Sequence, residues 1–125
     1  MSAEVVKKLR IAGGQRVLVL NADDALKRLL SELPHDARMV DAGEADAVVL
    51  FARDSSELKE HVGRAVQAAA GDRLFWICYP KNGTPEESDL SRDRVRELTA
   101  DTGVEAVSQI ALDTTWSALR FRPIR

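Results

Sequence analysis

Seven residues have side chains that could do chemistry, and each stands just beyond an apolar run: Asn21, Asp23, Asp41, Arg53, Lys81, Asp113 and Trp116. Carboxylates there could hold ribose hydroxyls, the two cations could hold an anion, and the indole could stack on a ring. In open α/β sheets the ligand crevice lies at the carboxyl ends of the parallel strands, which is where these residues fall if the apolar runs are strands. Each also has a plain structural role. Asn21 can cap a helix, Asp41 is a turn residue before Ala42-Gly43, Arg53 and Lys81 are solvated loop charges, and Asp113 is a turn former. Trp116 is harder to place, because a four-residue hairpin turn needs no indole; packing on the sheet edge or on a partner is favoured over stacking on a ligand.

Several chemistries find no support. Ser55, Ser56, Ser88, Ser91, Ser108 and Ser117 lack a nucleophile elbow, and neither His35 nor His61 is placed beside one by sequence. No cysteine or second histidine stands at ligand spacing from either histidine, so no metal is expected. The only cysteine, Cys78, lies inside the apolar run from Leu74 to Tyr79 and reads as a core thiol.

Nucleotide chemistry can be checked at the turn after the first strand, which reads Asn21-Ala22-Asp23-Asp24. A dinucleotide site needs glycines there, because only glycine lets the backbone approach a pyrophosphate at the helix N-terminus. None occurs between Arg16 and Pro34, and Gly13-Gly14 precede the strand. Half of the pattern survives in Asp41, about 20 residues on, where an acid would hold ribose hydroxyls. A phosphorylated receiver domain is suggested by Asp23-Asp24 and Lys81, but Phe51 occupies the phosphoacceptor position and cannot accept phosphate. The gap from Asp41 to Asp46 is also too short for the crossover helix that such a domain needs.

The elements that would position these residues follow from periodicity. Residues 3–11 predict a short helix with Val5, Val6 and Leu9 on one side, followed by Gly13-Gly14. A strand starts at Arg16. Asn21 then caps a helix with Leu26, Leu29, Leu30 and Leu33 on one face, stopped by Pro34. A short strand at Arg38–Asp41 precedes an unbroken apolar run, Asp46–Phe51, of the kind covered on both faces in a parallel sheet. Asp54 and Glu57 form a capping pair for a helix to about Ala70, with Leu58, Val62, Ala65, Val66 and Ala69 inward. Leu74–Tyr79 repeats the buried-strand pattern and leads into the long loop Pro80–Leu90. Ser91 caps the next helix, with Leu90 stapled onto Val95. Val104–Leu112 and Ser117–Arg122 are joined by so short a link that they pair antiparallel. On the last strand Arg120 and Arg122 share a face, which requires solvent or acidic partners such as Glu105.

Alternating buried strands and amphipathic helices predict one α/β domain over residues 1–125: a three-layer, Rossmann-like sheet, mostly parallel, with a C-terminal antiparallel hairpin. That arrangement resembles the class I methyltransferase fold with one strand–helix unit missing and without the glycine-rich turn that binds S-adenosylmethionine.

The chain also resembles a family of small bacterial proteins defined as a domain of unknown function and described as methyltransferase-like. The segments that carry the likeness are RVLVLNA at residues 16–22, FWICYPKNG at 75–83, Ala100-Asp101-Thr102-Gly103-Val104, and LDTTWSALRF at 112–121. Within them, Trp76, Pro80 and Lys81 form one pattern and Asp113, Trp116 and Ser117 another. The chain departs from the family where Asp23 replaces a proline or other turn former. The resemblance implies a fold and no established activity.

Composition narrows the partners. The chain has 125 residues, 45% of them hydrophobic and 30% charged, with a formal net charge of −2. So weak a charge gives no electrostatic basis for nucleic acid or membrane as the main partner. No stretch approaches 18 apolar residues, and Met1–Lys8 carries an early acid and no long apolar core, so a cytoplasmic location is expected. The expected function is a noncatalytic binding or accessory domain without a cofactor, its partner a protein or a small anionic ligand. The alternative is an S-adenosylmethionine-dependent methyltransferase or another nucleotide-binding enzyme. Val104–Leu112 is expected to be an exposed edge strand, which predicts a weak homodimer.

Overall fold

Continuous apolar runs mark the strands buried on both faces. In the computed structural model, which describes residues 2–43, 45–69, 71, 73–81 and 88–124, three such runs are adjacent in the sheet. They are β1 (Arg16–Leu20), β3 (Ala47–Phe51) and β4 (Leu74–Pro80). β2 (Arg38–Val40) flanks β1, and the hairpin of β5 (Val104–Ala111) and β6 (Trp116–Pro123) completes the other side. The order is β2-β1-β3-β4-β6-β5. The first four strands run parallel, and β6 pairs antiparallel with both β4 and β5. The expected mostly parallel sheet with a terminal antiparallel hairpin is what forms.

Helices cover both faces. The shorter pair, α1 (Ser2–Lys8) and α2 (Asp24–Arg28), places Val5, Val6, Leu9, Leu26 and Leu30 against Val17, Val19, Val49, Phe51 and Trp76. Trp76 is tied there by its Nε1–H, which donates to the Leu9 carbonyl at 2.9 Å. The longer pair, α3 (Ser55–Ala68) and α4 (Arg92–Thr99), places Leu58, Val62, Ala65 and Val95 against Leu18, Leu50, Phe75, Ile77 and Phe121. The capping pair forms at α3: Asp54 accepts from the Glu57 N–H, while the Glu57 carboxylate reaches back to the Arg53 N–H. At α4, Ser91 accepts from the Arg94 N–H, and Leu90 and Val95 are buried in the same cluster.

Three boundaries differ from the sequence reading. The residue that caps α2 is Asp23, not Asn21. Asn21 has φ +58°, a left-handed turn out of the strand that asparagine tolerates, and this leaves the cap to the residue after Ala22. α2 itself spans only five residues, because the Leu29 and Leu30 N–H groups close tight i→i−3 bonds well before Pro34. α1 likewise ends early, at Lys8, with Arg10 at φ +60°.

The link between β2 and β3 shapes the carboxyl rim. Val40 is level with Leu18, and Ala47 is level with Val17, so the chain steps back by one residue position while crossing β1. It crosses on the α3 side, where Ala45 is buried. No helix is needed for so small a return. β5 forms the sheet edge, as expected, and carries a bulge between Ala106 and Ser108 that leaves Val107 exposed. The loop predicted at Pro80–Leu90 lies mostly at residues 82–87, outside the described residues. Among the described residues no helix is long and apolar enough to cross a membrane.

Candidate functional site

Asn21 is the hinge of the site. Its left-handed backbone turns the amide toward the β3–α3 junction, where Nδ2 donates to the Phe51 carbonyl at 2.8 Å and to Glu57 Oε1 at 2.9 Å. Glu57 therefore joins Asn21 to Arg53, whose N–H it accepts at 2.8 Å. One carboxylate thus locks the end of β1 to the end of β3.

Asp23 closes the same rim from the helix side. Its Oδ1 accepts from the Leu26 N–H at 2.9 Å, and its Oδ2 takes Arg53 Nη2 at 2.8 Å. The Leu26 N–H, with Arg53 secondary, holds the Asp23 carboxyl below its ordinary value. The Arg53 guanidinium lies 6.0 Å from the Trp116 ring centroid, and Trp116 meets Phe51 edge to face at 5.4 Å. Trp116 is buried in the α1–α2 side of the core, which agrees with packing and leaves no open ring face for a ligand.

Asn21, Asp23, Asp41 and Arg53 come together around one cleft of about 410 Å³. Lys27 from α2 and Arg64 from α3 complete its polar lining, and Arg64 also donates to the Asp41 carbonyl at 3.0 Å. Neither cation was singled out in the sequence, because a charge on the polar face of a helix carries no signal of what faces it. In the sequence Glu57 has the signature of a capping residue; its bond to Asn21, 36 positions away, has no local signature.

Lys81 and Asp113 are not among the residues that line this cleft; they lie at the turn of the terminal hairpin. Asp113 is the turn former expected, its Oδ1 accepting from the Thr115 and Trp116 N–H groups at 2.8 and 2.7 Å. Lys81 is not the solvated loop charge expected. It is half-buried, its N–H donates to the Thr115 carbonyl at 2.8 Å, and its Nζ donates to the Asp113 carbonyl at 2.5 Å. Pairing of Pro80 with Trp116 brings the ammonium under the turn. Elsewhere, Arg122 takes the expected partner, with Nε at 3.1 Å from Glu105. Cys78 is fully buried, and burial pushes its thiol far above the usual range. Among the described residues no three potential ligands gather around a metal position.

The pattern of the family DUF3052, described as proteins of unknown function, matches residues 7–124. The chain belongs to that family. No curated protein matches it in sequence. Among solved structures the fold is similar to a SAM-dependent methyltransferase from Aquifex aeolicus, with TM-score 0.60 and 11% identity over 98% of this chain and 89% of that one. An O-methyltransferase family protein from Burkholderia thailandensis gives TM-score 0.60 and 12% identity over 98% and 56% of the two chains. The magnesium protoporphyrin IX methyltransferase from Synechocystis gives 0.58 and 10% over 96% and 78%. At these identities the likeness establishes the fold alone, a methyltransferase-like α/β sheet.

Solved structures of that fold include methyltransferases, whose cofactor S-adenosylmethionine would need a close backbone approach at the first turn. The turn from Asn21 to Asp24 carries no glycine, and the Leu26 N–H at the start of α2 is already bonded to Asp23, so the residues there do not fit that group. Asp41 alone stands where a ribose acid would be useful, at the end of β2.

Proposed function

We propose that this DUF3052 domain is a noncatalytic binding or accessory protein that keeps a methyltransferase-like fold with its cofactor turn closed. The observation that carries this reading is the Asp23–Arg53 pair, 2.8 Å long, which spans the rim from the N-terminus of α2 to the loop after β3. It satisfies the helix N-terminus from within the chain and lays a guanidinium between the turn and Trp116. The cleft that remains, lined by Asn21, Asp41, Lys27 and Arg64, is polar and suits a protein side chain or a small anion better than an adenine ring.

Thermal unfolding in the presence of candidate cofactors tests this. A ligand with a Kd of about 100 μM, present at 1 mM, would add about 1.4 kcal/mol and raise the midpoint by several degrees. S-adenosylmethionine, S-adenosylhomocysteine, NAD and ATP are each expected to leave it unchanged. A shift of that size with either adenosyl compound would favour the alternative, a methyltransferase in which Asp41 holds the ribose.

A further inference from the structure

Two large hydrophobic side chains are exposed among the described residues, Val107 at 40% and Ile124 at 55%. Both line the same region, a trough between α4 and the edge strand β5. A helix of eight residues is about 12 Å long and a strand of eight about 26 Å, so α4 leaves part of the terminal hairpin uncovered. Two cavities lie there, of about 640 and 210 Å³; they share Arg96 and Ala106 as lining and so form one depression. Val104 and Ile124 line the larger cavity, and the β5 bulge places Val107 beside Ala106 along the smaller one, next to Leu119.

Charge gives this apolar trough a polarity. Each carboxylate that lines it has an arginine of its own: Asp93 has Arg92 at 3.6 Å, Glu97 has Arg94 at 3.0 Å, and Glu105 has Arg122 at 3.1 Å. Arg96, the cation common to both cavities, forms no ion pair or hydrogen bond among the described residues. One positive charge is therefore left uncompensated where the two cavities meet. A second copy would bring another Arg96 and three carboxylates already paired, so it does not supply the missing charge.

We propose that the trough between α4 and β5 binds a free medium-chain carboxylate, its head on Arg96 and its alkyl tail along Val104, Ala106 and Ile124. A single negative charge answers the single unpaired cation, and an unbranched tail suits an elongated apolar depression. The trough shares no lining residue with the cleft at the β1 turn, so the site stands or falls apart from the cofactor question.

Titration of the ¹⁵N-labelled protein with sodium octanoate below its micelle concentration, at constant ionic strength, tests this, with sodium acetate, 1-octanol and phosphatidylglycerol vesicles as comparisons. Saturable shifts of the Val104, Ala106, Val107 and Ile124 amides are expected at millimolar octanoate. Affinity should rise about twofold or more per methylene from hexanoate to decanoate, where full burial of each would give about fourfold. Octanol should bind about threefold more weakly than octanoate, within what one exposed ion pair contributes. Arg96→Gln should remove that difference, and Ile124→Ser should weaken acid and alcohol alike. Arg96 and Ile124 are exposed, so both variants should keep the wild-type spectrum away from the trough. Shifts that do not saturate, that acetate reproduces, that ignore chain length, or that are as strong with octanol as with octanoate would overturn the site. Binding to vesicles with none to free octanoate would also overturn it. So would the same shifts in ligand-free protein as its concentration is raised within the micromolar range, which would give the trough to a second copy.

Discussion

At the scale of single residues, partners matter more than identities. Lys81 resembles any loop lysine in the sequence, yet its ammonium bonds the Asp113 carbonyl beneath the hairpin turn. Replacing it by methionine should cost about 1 kcal/mol in urea unfolding, the net value of a partly buried charged hydrogen bond; a change under about 0.3 kcal/mol would show that the bond is not formed in solution. Trp116 was legible as an indole needing cover. With its ring buried against Phe51, Trp116→Ala should cost about 3–5 kcal/mol by leaving a cavity. The carboxyls of Asp23, Asp46 and Asp89 are held below their ordinary value of 3.8, chiefly by the Leu26 N–H, the Arg16 N–H and the Ser55 hydroxyl respectively. A lowered folded-state pKa gives stability that is fully present above the unfolded value and is lost as pH falls through the folded one. Stability should therefore be flat from neutral pH to about pH 5 and decline below about pH 4. Asp46→Asn should lower the plateau and flatten the decline, as read from unfolding midpoints at pH 7, 5 and 3. An unchanged acid limb would contradict the Asp46 bonds.

At the scale of elements, periodicity identified every strand and helix, while the ends depended on single backbone angles. α2 reads as a helix to Pro34 because leucines recur at the right spacing, but left-handed Asn21 shifts its start and tight bonds end it at Arg28. The cap of α4 was legible because serine, the helix and the Leu90–Val95 staple are all local. Ser91→Ala should destabilise by about 1 kcal/mol, measured by chemical unfolding. β5 was also legible as an edge, but its bulge was not, since one extra residue leaves no mark on composition. An edge of eight residues with Glu105 its only charge should pair weakly with a second copy. Light scattering at millimolar concentration should detect dimer in the wild type and less in Val107→Lys; monomer throughout would contradict this pairing.

At the scale of the whole molecule, the three layers and the terminal hairpin followed from alternation of buried runs and amphipathic helices, which is why the fold was readable. The cleft was only half readable. Asn21, Asp23, Asp41 and Arg53 could be placed at one rim by topology, whereas Lys27, Arg64 and the bridging role of Glu57 depend on contacts between distant elements. The noncatalytic function proposed above rests on one turn without glycine and on the ion pair across it. Calorimetric titration with S-adenosylmethionine tests that proposal most directly. No saturable heat is expected at ligand concentrations up to 1 mM, whereas binding tighter than about 100 μM, roughly −5.5 kcal/mol, would contradict a closed cofactor turn.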